Sequence, residues 1–237
     1  MTYTQLTELS RWRVLLLESP ETQNSISDEV QEGIREAVSL SQSDGKGLAF
    51  RGANGTFSSG AHLGELVGLD EARAFARSMK AQAVLCSIAQ AAFPSLALVE
   101  GHCIGKGFEL ALACKCIVAS RHSYFWFPES ALGFAPGSGG IALLERRCGK
   151  ETASAIIRRG RKILGVDAVT PGIAEICEDI PSALTDEYLD SCSERRRMAL
   201  PPPGVPDESF AREYAKTISA PDAQRLLAEH YNRISGL

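Results

Sequence analysis

Short apolar runs alternate with stretches of helical spacing from residue 13 to about residue 150. This alternation constrains the fold more than any other feature of the chain. RVLLLESP (13–20) stops at Pro20 and reads as a strand; NSISDEVQEGIREAVSL follows, with Val30, Ile34, Ala37 and Val38 at helical spacing behind a Ser/Asp-rich cap. GLAFRG (47–52), SLALVEG (95–101) and CIVAS (116–120) read as further buried strands. An Ala-rich stretch from Leu63 to Ala92, with Phe75, Met79 and Cys86 at helix-compatible intervals, and the segment FELALAC supply helices between them. Strands that alternate with helices predict an α/β core. From about Lys150 the pattern turns helical and polar, interrupted by PPPG at 201–204, which divides the chain into a core (1–150) and a helical C-terminal region (151–237). No internal repeat is visible in the sequence.

With 237 residues, 44% of them hydrophobic, the chain can bury a substantial core as one large domain or as a domain with a small appendage. A formal charge of −4 argues against a nucleic-acid partner, which leaves a basic footprint. MTYTQLTELSRW has no apolar signal-like region and no run reaches membrane-spanning length, so the expectation is a cytoplasmic protein with no membrane partner. The seven cysteines are odd in number and scattered, and the C-x-C pair Cys114/Cys116 lacks a second pair at metal-ligand spacing. Reduced, mostly buried thiols and no metal are expected. The clusters Arg158-Arg159-Gly160-Arg161-Lys162 and Arg195-Arg196-Arg197 read as solvated helix faces or subunit contacts, with phosphate binding the alternative.

Three segments carry the chemistry: FSSGAHL (57–63), GHCIGKGFELAL (101–112) and FPESALGFAPGSGG (127–140). Each contains a Gly-rich turn, and such turns expose backbone N–H groups where helix N-termini favour negative charge. Two N–H groups aimed at one carbonyl oxygen would stabilise an enolate formed from a thioester. Glu109 and Glu129 could then act as general base and general acid once burial tunes them. Taken singly these signals are weak, because a glutamate near a helix start is already favoured by the helix dipole.

The order and spacing of NSIS, FSSGAHL, GHCIGKGFELALACKCIVAS, FPESALGFAPGSGG and, more loosely, GIAEICED resemble the enoyl-CoA hydratase/isomerase (crotonase) superfamily across most of residues 13–180. The resemblance implies a crotonase-like α/β spiral of ββα turns, followed by a C-terminal helical region that covers the site and builds a homotrimer or dimer of trimers. It implies oxyanion-hole donors at the backbone N–H of Ala61 and Lys106, catalytic roles for Glu109 and Glu129, and substrate contacts at Gly60, His62, Gly137 and Gly139. No cofactor is implied beyond the carrier of the substrate, acyl-CoA or a phosphopantetheine-bearing acyl carrier protein. Retention of both glutamates, twenty residues apart, favours hydration or dehydration of an enoyl/3-hydroxyacyl thioester. Double-bond isomerisation and decarboxylation are the enzymatic alternatives, and a non-catalytic scaffold for a carrier or partner enzyme is the alternative of another class.

Four departures from the family pattern bear on this reading. Lys106 stands where glycine is common; its N–H can still donate, while its side chain either meets a substrate carboxylate or enolate or turns to solvent. His62 and Lys115 replace customary aspartates; His62 reads as a local hydrogen-bonding residue or a proton donor, and Lys115 as a cation suited to a helix C-terminus. SPETQNSIS and HLGELVGLDEA lack the Lys or Arg that would hold the phosphates of coenzyme A, with no basic residue in the latter region before Arg73. Each missing charge-assisted hydrogen bond is worth roughly 1.5–3 kcal/mol. A carrier-protein substrate, as in polyketide-type metabolism, would not need them.

Overall fold

The structure, a computed structural model, describes residues 3–195 and 206–235; PPPG (201–204) and the side chains of Arg195-Arg196-Arg197 lie outside the described part. In chain order the elements are β1 (Thr4–Glu8), β2 (Trp12–Leu17), α1 (Asp28–Asp44), β3 (Gly47–Gly52), α2 (Glu71–Ala89), β4 (Ser95–Val99), β5 (His102–Ile104), α3 (Lys106–Ala113), β6 (Cys116–Ser120) and β7 (Tyr124–Trp126). There follow α4 (Gly140–Cys148), α5 (Lys150–Arg159), β8 (Ile163–Leu164), β9 (Glu175–Cys177), α6 (Asp186–Arg195), α7 (Glu208–Ile218) and α8 (Pro221–Ser235).

Six strands form the main sheet in the order β1-β2-β3-β4-β6-β9, parallel throughout except for β1 against β2. Both faces of this sheet are covered, which is why its strands read as unbroken apolar runs. Leu15, Leu17, Leu48, Phe50, Ala97, Val99 and Ile117 face one core, shared with α1, α2 and α3. Trp12, Val14, Ala49, Leu96, Leu98 and Val118 point the other way, onto Leu189 and Cys192 of α6. A second sheet, β5-β7-β8, stands beside the first. β4–β5–α3 and β6–β7–α4 are each one ββα turn, the first strand entering the main sheet and the second the small one. The sequence concealed this repeat because β5 and β7 are only three residues long.

Helix ends follow the local chemistry. Ser27 Oγ accepts from Val30 N (3.2 Å) to start α1, and Gly45, at φ 79°, ends it. The helix expected from Leu63 begins instead at Glu71: Asp70 caps it through Arg73 N (2.8 Å), and Leu63–Glu65 before it is a 3₁₀ turn. β8 and β9 fall where only helix was expected. β9 is three residues long and exists because β6 offers it an edge, with Val118 opposite Glu175, a pairing no local pattern encodes.

Two polar anchors fix the parts that carry the Gly-rich turns. The buried Arg147 guanidinium donates to the carbonyls of Leu112 and Cys114, taking up the C-terminal end of α3. Buried Asn24, with a positive φ of 58°, accepts from Ser19 N (3.0 Å) and donates to the carbonyls of Ala53 (2.9 Å) and Thr56 (2.7 Å). It thereby ties the exit of β2 to the segment that leads into FSSGAHL. Asn24→Asp sets a carboxylate, which can only accept, against those two carbonyls. An expected loss of about 2–4 kcal/mol, read as a lowered urea midpoint at unchanged slope, checks this anchor.

Candidate active site

The site begins where two Gly-rich turns run side by side. Ser58 N donates to His102 O (2.9 Å) and Ile104 N to Ser58 O (3.0 Å), a parallel bridge of Ser58 with Cys103. In that register Gly60 falls opposite Gly105 and Ala61 opposite Lys106. Among the described residues neither the Ala61 nor the Lys106 peptide N–H has an acceptor. Lys106 opens α3, so its N–H is one of the donors a helix leaves free at its start. Gly105 is at φ 49°, and a Cβ there would lie 2.6 Å from Glu129 Oε1; only glycine allows the turn and the glutamate to meet.

Glu109 projects from the first turn of α3 and is 1% exposed. Its Oε1 accepts from Ser138 N and Gly140 N, each at 2.8 Å, at the N-terminus of α4. This close approach requires Gly140, since a Cβ there would stand 2.7 Å from Glu109 Cγ. Burial raises the Glu109 pKa, opposed by the two peptide donors and by Lys106. Glu129 opens a 3₁₀ turn at Glu129–Leu132, is also buried, and its Oε2 has no hydrogen-bond partner. Burial, with the Glu109 charge adding to it, pushes its pKa up to about 8. Two carboxyls in one desolvated site are thus unequal: Glu109 has donors for an anion, and Glu129 retains the proton at neutral pH.

Two spaces that share Ala61, Leu66, Glu129 and Phe134 in their linings border the pair. An open cleft of about 690 Å³ is lined by Gly60, Ala61, His62, Gly105, Trp126 and Glu129, with Leu226, His230, Tyr231 and Ile234 of α8 forming one wall. A small inner chamber of about 40 Å³ is bounded by Ala61, Lys106, both glutamates, Arg77 and Tyr214. Gly137 lines this chamber too, its carbonyl accepting from Ser78 Oγ (2.7 Å). Gly139 is on neither lining; at φ 95° it is the N-cap of α4 and shapes the turn that offers the two amides to Glu109. His62 lines the cleft with a buried Nδ1 that has no partner.

Ala61, Lys106, Glu109 and Glu129 therefore meet at one place, with Gly60 and His62 on the cleft side and Gly137 on the chamber side. Arg77 and Tyr214 were not found in the sequence. Arg77 lies in the Ala-rich helix as an ordinary surface residue would, and Tyr214 arrives on α7, where Phe134 packs edge-on against it (6.2 Å). The Arg158–Lys162 cluster is exposed, but Lys162 Nζ sits 4.4 Å from the Tyr124 ring and 5.3 Å from that of Trp126, behind the cleft wall. Lys115 Nζ reaches Ala92 O (3.3 Å). Cys103, Cys114, Cys116 and Cys192 are buried.

Comparison with known proteins shows the family and the fold. The enoyl-CoA hydratase/isomerase family profile matches residues 13–194, and the chain belongs to that family, the crotonase superfamily. The fatty acid oxidation complex subunit alpha of Idiomarina loihiensis is 30% identical over 80% of this chain and 28% of its own length. The mitochondrial enoyl-CoA hydratase domain-containing protein 2 of Bos taurus is 30% identical over 67% of this chain and 55% of its own length. The chain thus spans less than two thirds of either relative. The fold matches the crystal structure of an enoyl-CoA hydratase/isomerase from Mycobacterium paratuberculosis with a TM-score of 0.80, at 18% identity, over 97% of this chain and 98% of that one.

The elevated Glu129 pKa has a cost in stability with a defined sign. In the unfolded chain the group ionises near 4.5, whereas in the folded one it holds its proton to about 8. The folded state binds the extra proton between these values, so this group's contribution to stability declines from about pH 4.5 to about pH 8 and is level above. Glu129→Gln removes that decline. The variant is expected to gain stability relative to the parent as pH rises through this window, measured as the difference in Tm at pH 5, 6.5 and 8.

Proposed function

We propose that this chain adds water to, or removes it from, an enoyl/3-hydroxyacyl thioester through an enolate, and that the thioester is carried by an acyl carrier protein. The observation that carries the reaction is the pair of unbonded N–H groups, Ala61 and Lys106, set beside two buried glutamates in unlike surroundings, Glu109 held by two peptide donors and Glu129 with an unpartnered oxygen. In the hydration direction the thioester oxygen accepts from both N–H groups. Glu109 takes a proton from water as the water oxygen bonds to the β-carbon, and the π electrons move onto the thioester as an enolate. The enolate then collapses and its α-carbon takes the proton of Glu129. One proton has moved from Glu129 to Glu109 and returns through water in the cleft; dehydration is the reverse.

Burial strengthens each of these contacts, because donors fixed in a water-poor site need no reorganisation as charge develops. The carrier preference is supported by the cleft. Among its described lining residues Arg233 is the sole Lys or Arg, and it shares the wall with Glu21 and Glu229. A phosphate-rich nucleotide gains little there, while a bare pantetheine arm loses nothing.

Incubation with matched enoyl and 3-hydroxyacyl groups, as CoA and as carrier-protein thioesters, followed by mass and by α-deuterium uptake, tests both parts. Gain or loss of one water on the carrier-bound form is expected, with CoA forms slower. Glu109→Gln and Glu129→Gln are each expected to lower kcat by ~10²–10⁴. Hydration should fall on the alkaline side near pH 8, where Glu129 loses its proton. Deuterium uptake without water exchange would replace this reading with isomerisation, and loss of CO₂ would replace it with decarboxylation. Undiminished turnover in both variants would remove the glutamates from the reaction.

A further inference from the structure

Lys106 is the residue the proposed reaction leaves half used. Its peptide N–H is assigned to the thioester oxygen, but its side chain enters the inner chamber beside Glu109, Glu129 and Arg77. There it makes no hydrogen bond or ion pair among the described residues. Arg77, the other cation at this chamber, is fully engaged: its guanidinium pairs with Asp28 (2.6 Å) and Glu65 (2.9 Å). Glu109 is likewise committed through Oε1 to two peptide donors. Lys106 is half-buried, and an ammonium drawn partly out of water without a partner is costly. Burial and the nearby Arg77 charge accordingly lower the Lys106 pKa to about 8 despite the acids around it.

We infer that Lys106 is an anion-binding residue for the acyl group: the thioester this site accepts carries a carboxylate, and the Lys106 ammonium pairs with it inside the chamber. The inference rests on the reading of the Ala61–Lys106 turn as a thioester site, and it adds the substrate class. Because one residue supplies both the oxyanion donor and the cation, the carboxylate lies within one lysine side chain's length of the thioester carbonyl. The chamber, about 40 Å³, admits a group of that size and not a long alkyl chain. The acyl portion is therefore short and dicarboxylic. The hydroxyl of Tyr214 on the same lining can donate to the second carboxylate oxygen, whereas that of Ser78 is committed to the Gly137 carbonyl.

The test compares length-matched enoyl thioesters that end in a carboxylate or in its methyl ester, with the parent chain, Lys106→Met and Lys106→Arg. Every one of these chains keeps the peptide N–H. The parent is expected to favour the acid at least 100-fold in kcat/KM; the ratio should collapse in Lys106→Met and be partly restored in Lys106→Arg. An equal ratio in the parent, or a ratio unchanged in Lys106→Met, overturns the inference while leaving the proposed reaction standing. If the parent turns over no thioester, that reaction fails instead. Equilibrium binding of the saturated dicarboxylyl thioester to the parent and to Lys106→Met then still decides the role of Lys106.

The pH dependence of that binding separates a charge from a packing role. Glu109 on α3, Glu129 on the 3₁₀ turn, Arg77 on α2 and Tyr214 on α7 also face the chamber, and Asp28 and Glu65 stand behind Arg77. Affinity of the parent for the acid should hold constant up to about pH 8 and fall above it as free Lys106 loses its proton. Glu129 ionises in the same range and would add to the fall in every chain, so the difference between parent and Lys106→Met carries the assignment. A difference that does not vary with pH overturns it.

Discussion

The structure of the site depends on one short parallel ladder. Ser58 bridges Cys103, β5 pairs with β7, and Gly105 N donates to Trp126 O (2.8 Å). These few hydrogen bonds hold three chain segments from three successive turns of the spiral at a common level. Each segment then leaves the ladder: into the 3₁₀ turn after Ala61, into α3 at Lys106, and into the 3₁₀ turn at Glu129. The unpaired N–H groups and both glutamates meet where the ladder to Cys103 stops; Ala61 then bridges Ile26 on its other side through the Gly60 carbonyl and the His62 N–H, which leaves its own N–H free. A displacement of one residue in the Ser58–Cys103 register would carry Ala61 away from Lys106.

Beyond the ladder, the site is made largely of backbone dipoles. Glu109 is held by amides at the start of α4, and the expected oxygen position lies at the start of α3. Donors of this kind are fixed by the fold and cannot swing away, so they suit a site that meets a charge only transiently. The side chains supply what the backbone cannot: a group able to give a proton, Glu129, and a permanent or titratable cation, Lys106. Both are placed with incomplete partners, Oε2 of Glu129 having none at all. Unsatisfied buried polar groups are rare in folded proteins, and Glu129 Oε2 at the chamber and His62 Nδ1 at the cleft agree with a ligand that completes them.

The C-terminal helices turn an open ladder end into an enclosed site. Tyr214 of α7 packs on Gly137 and Phe134, while Leu227 and Ala223 of α8 join Leu66 and Leu69 in a separate apolar cluster. α8 thereby becomes a wall of the cleft. The same packing bounds the chamber with Tyr214, a residue more than a hundred positions away in the chain from Ala61.

Much of the fold was legible in the sequence where local chemistry and burial agree. β3, β4 and β6 are apolar on both faces because helices cover both, and α1 announces itself through its Ser27 cap and its apolar stripe. The Gly-rich turns and the two glutamates were weak signals singly and became legible only through the order and spacing in which FSSGAHL, GKGFEL and FPESALGF follow one another. What the sequence could not show are elements defined by a partner. β5, β7, β8 and β9 are two or three residues long and become strands only through pairing with distant segments. The same holds for the site's finer properties. The sequence by itself determined which groups were available: two glutamates, two turn N–H groups and a lysine in place of glycine. Only the tertiary structure decided which carboxyl keeps its proton, which cation is left unpaired and how much room remains, because desolvation, pairing and volume belong to the assembled environment and to no single residue.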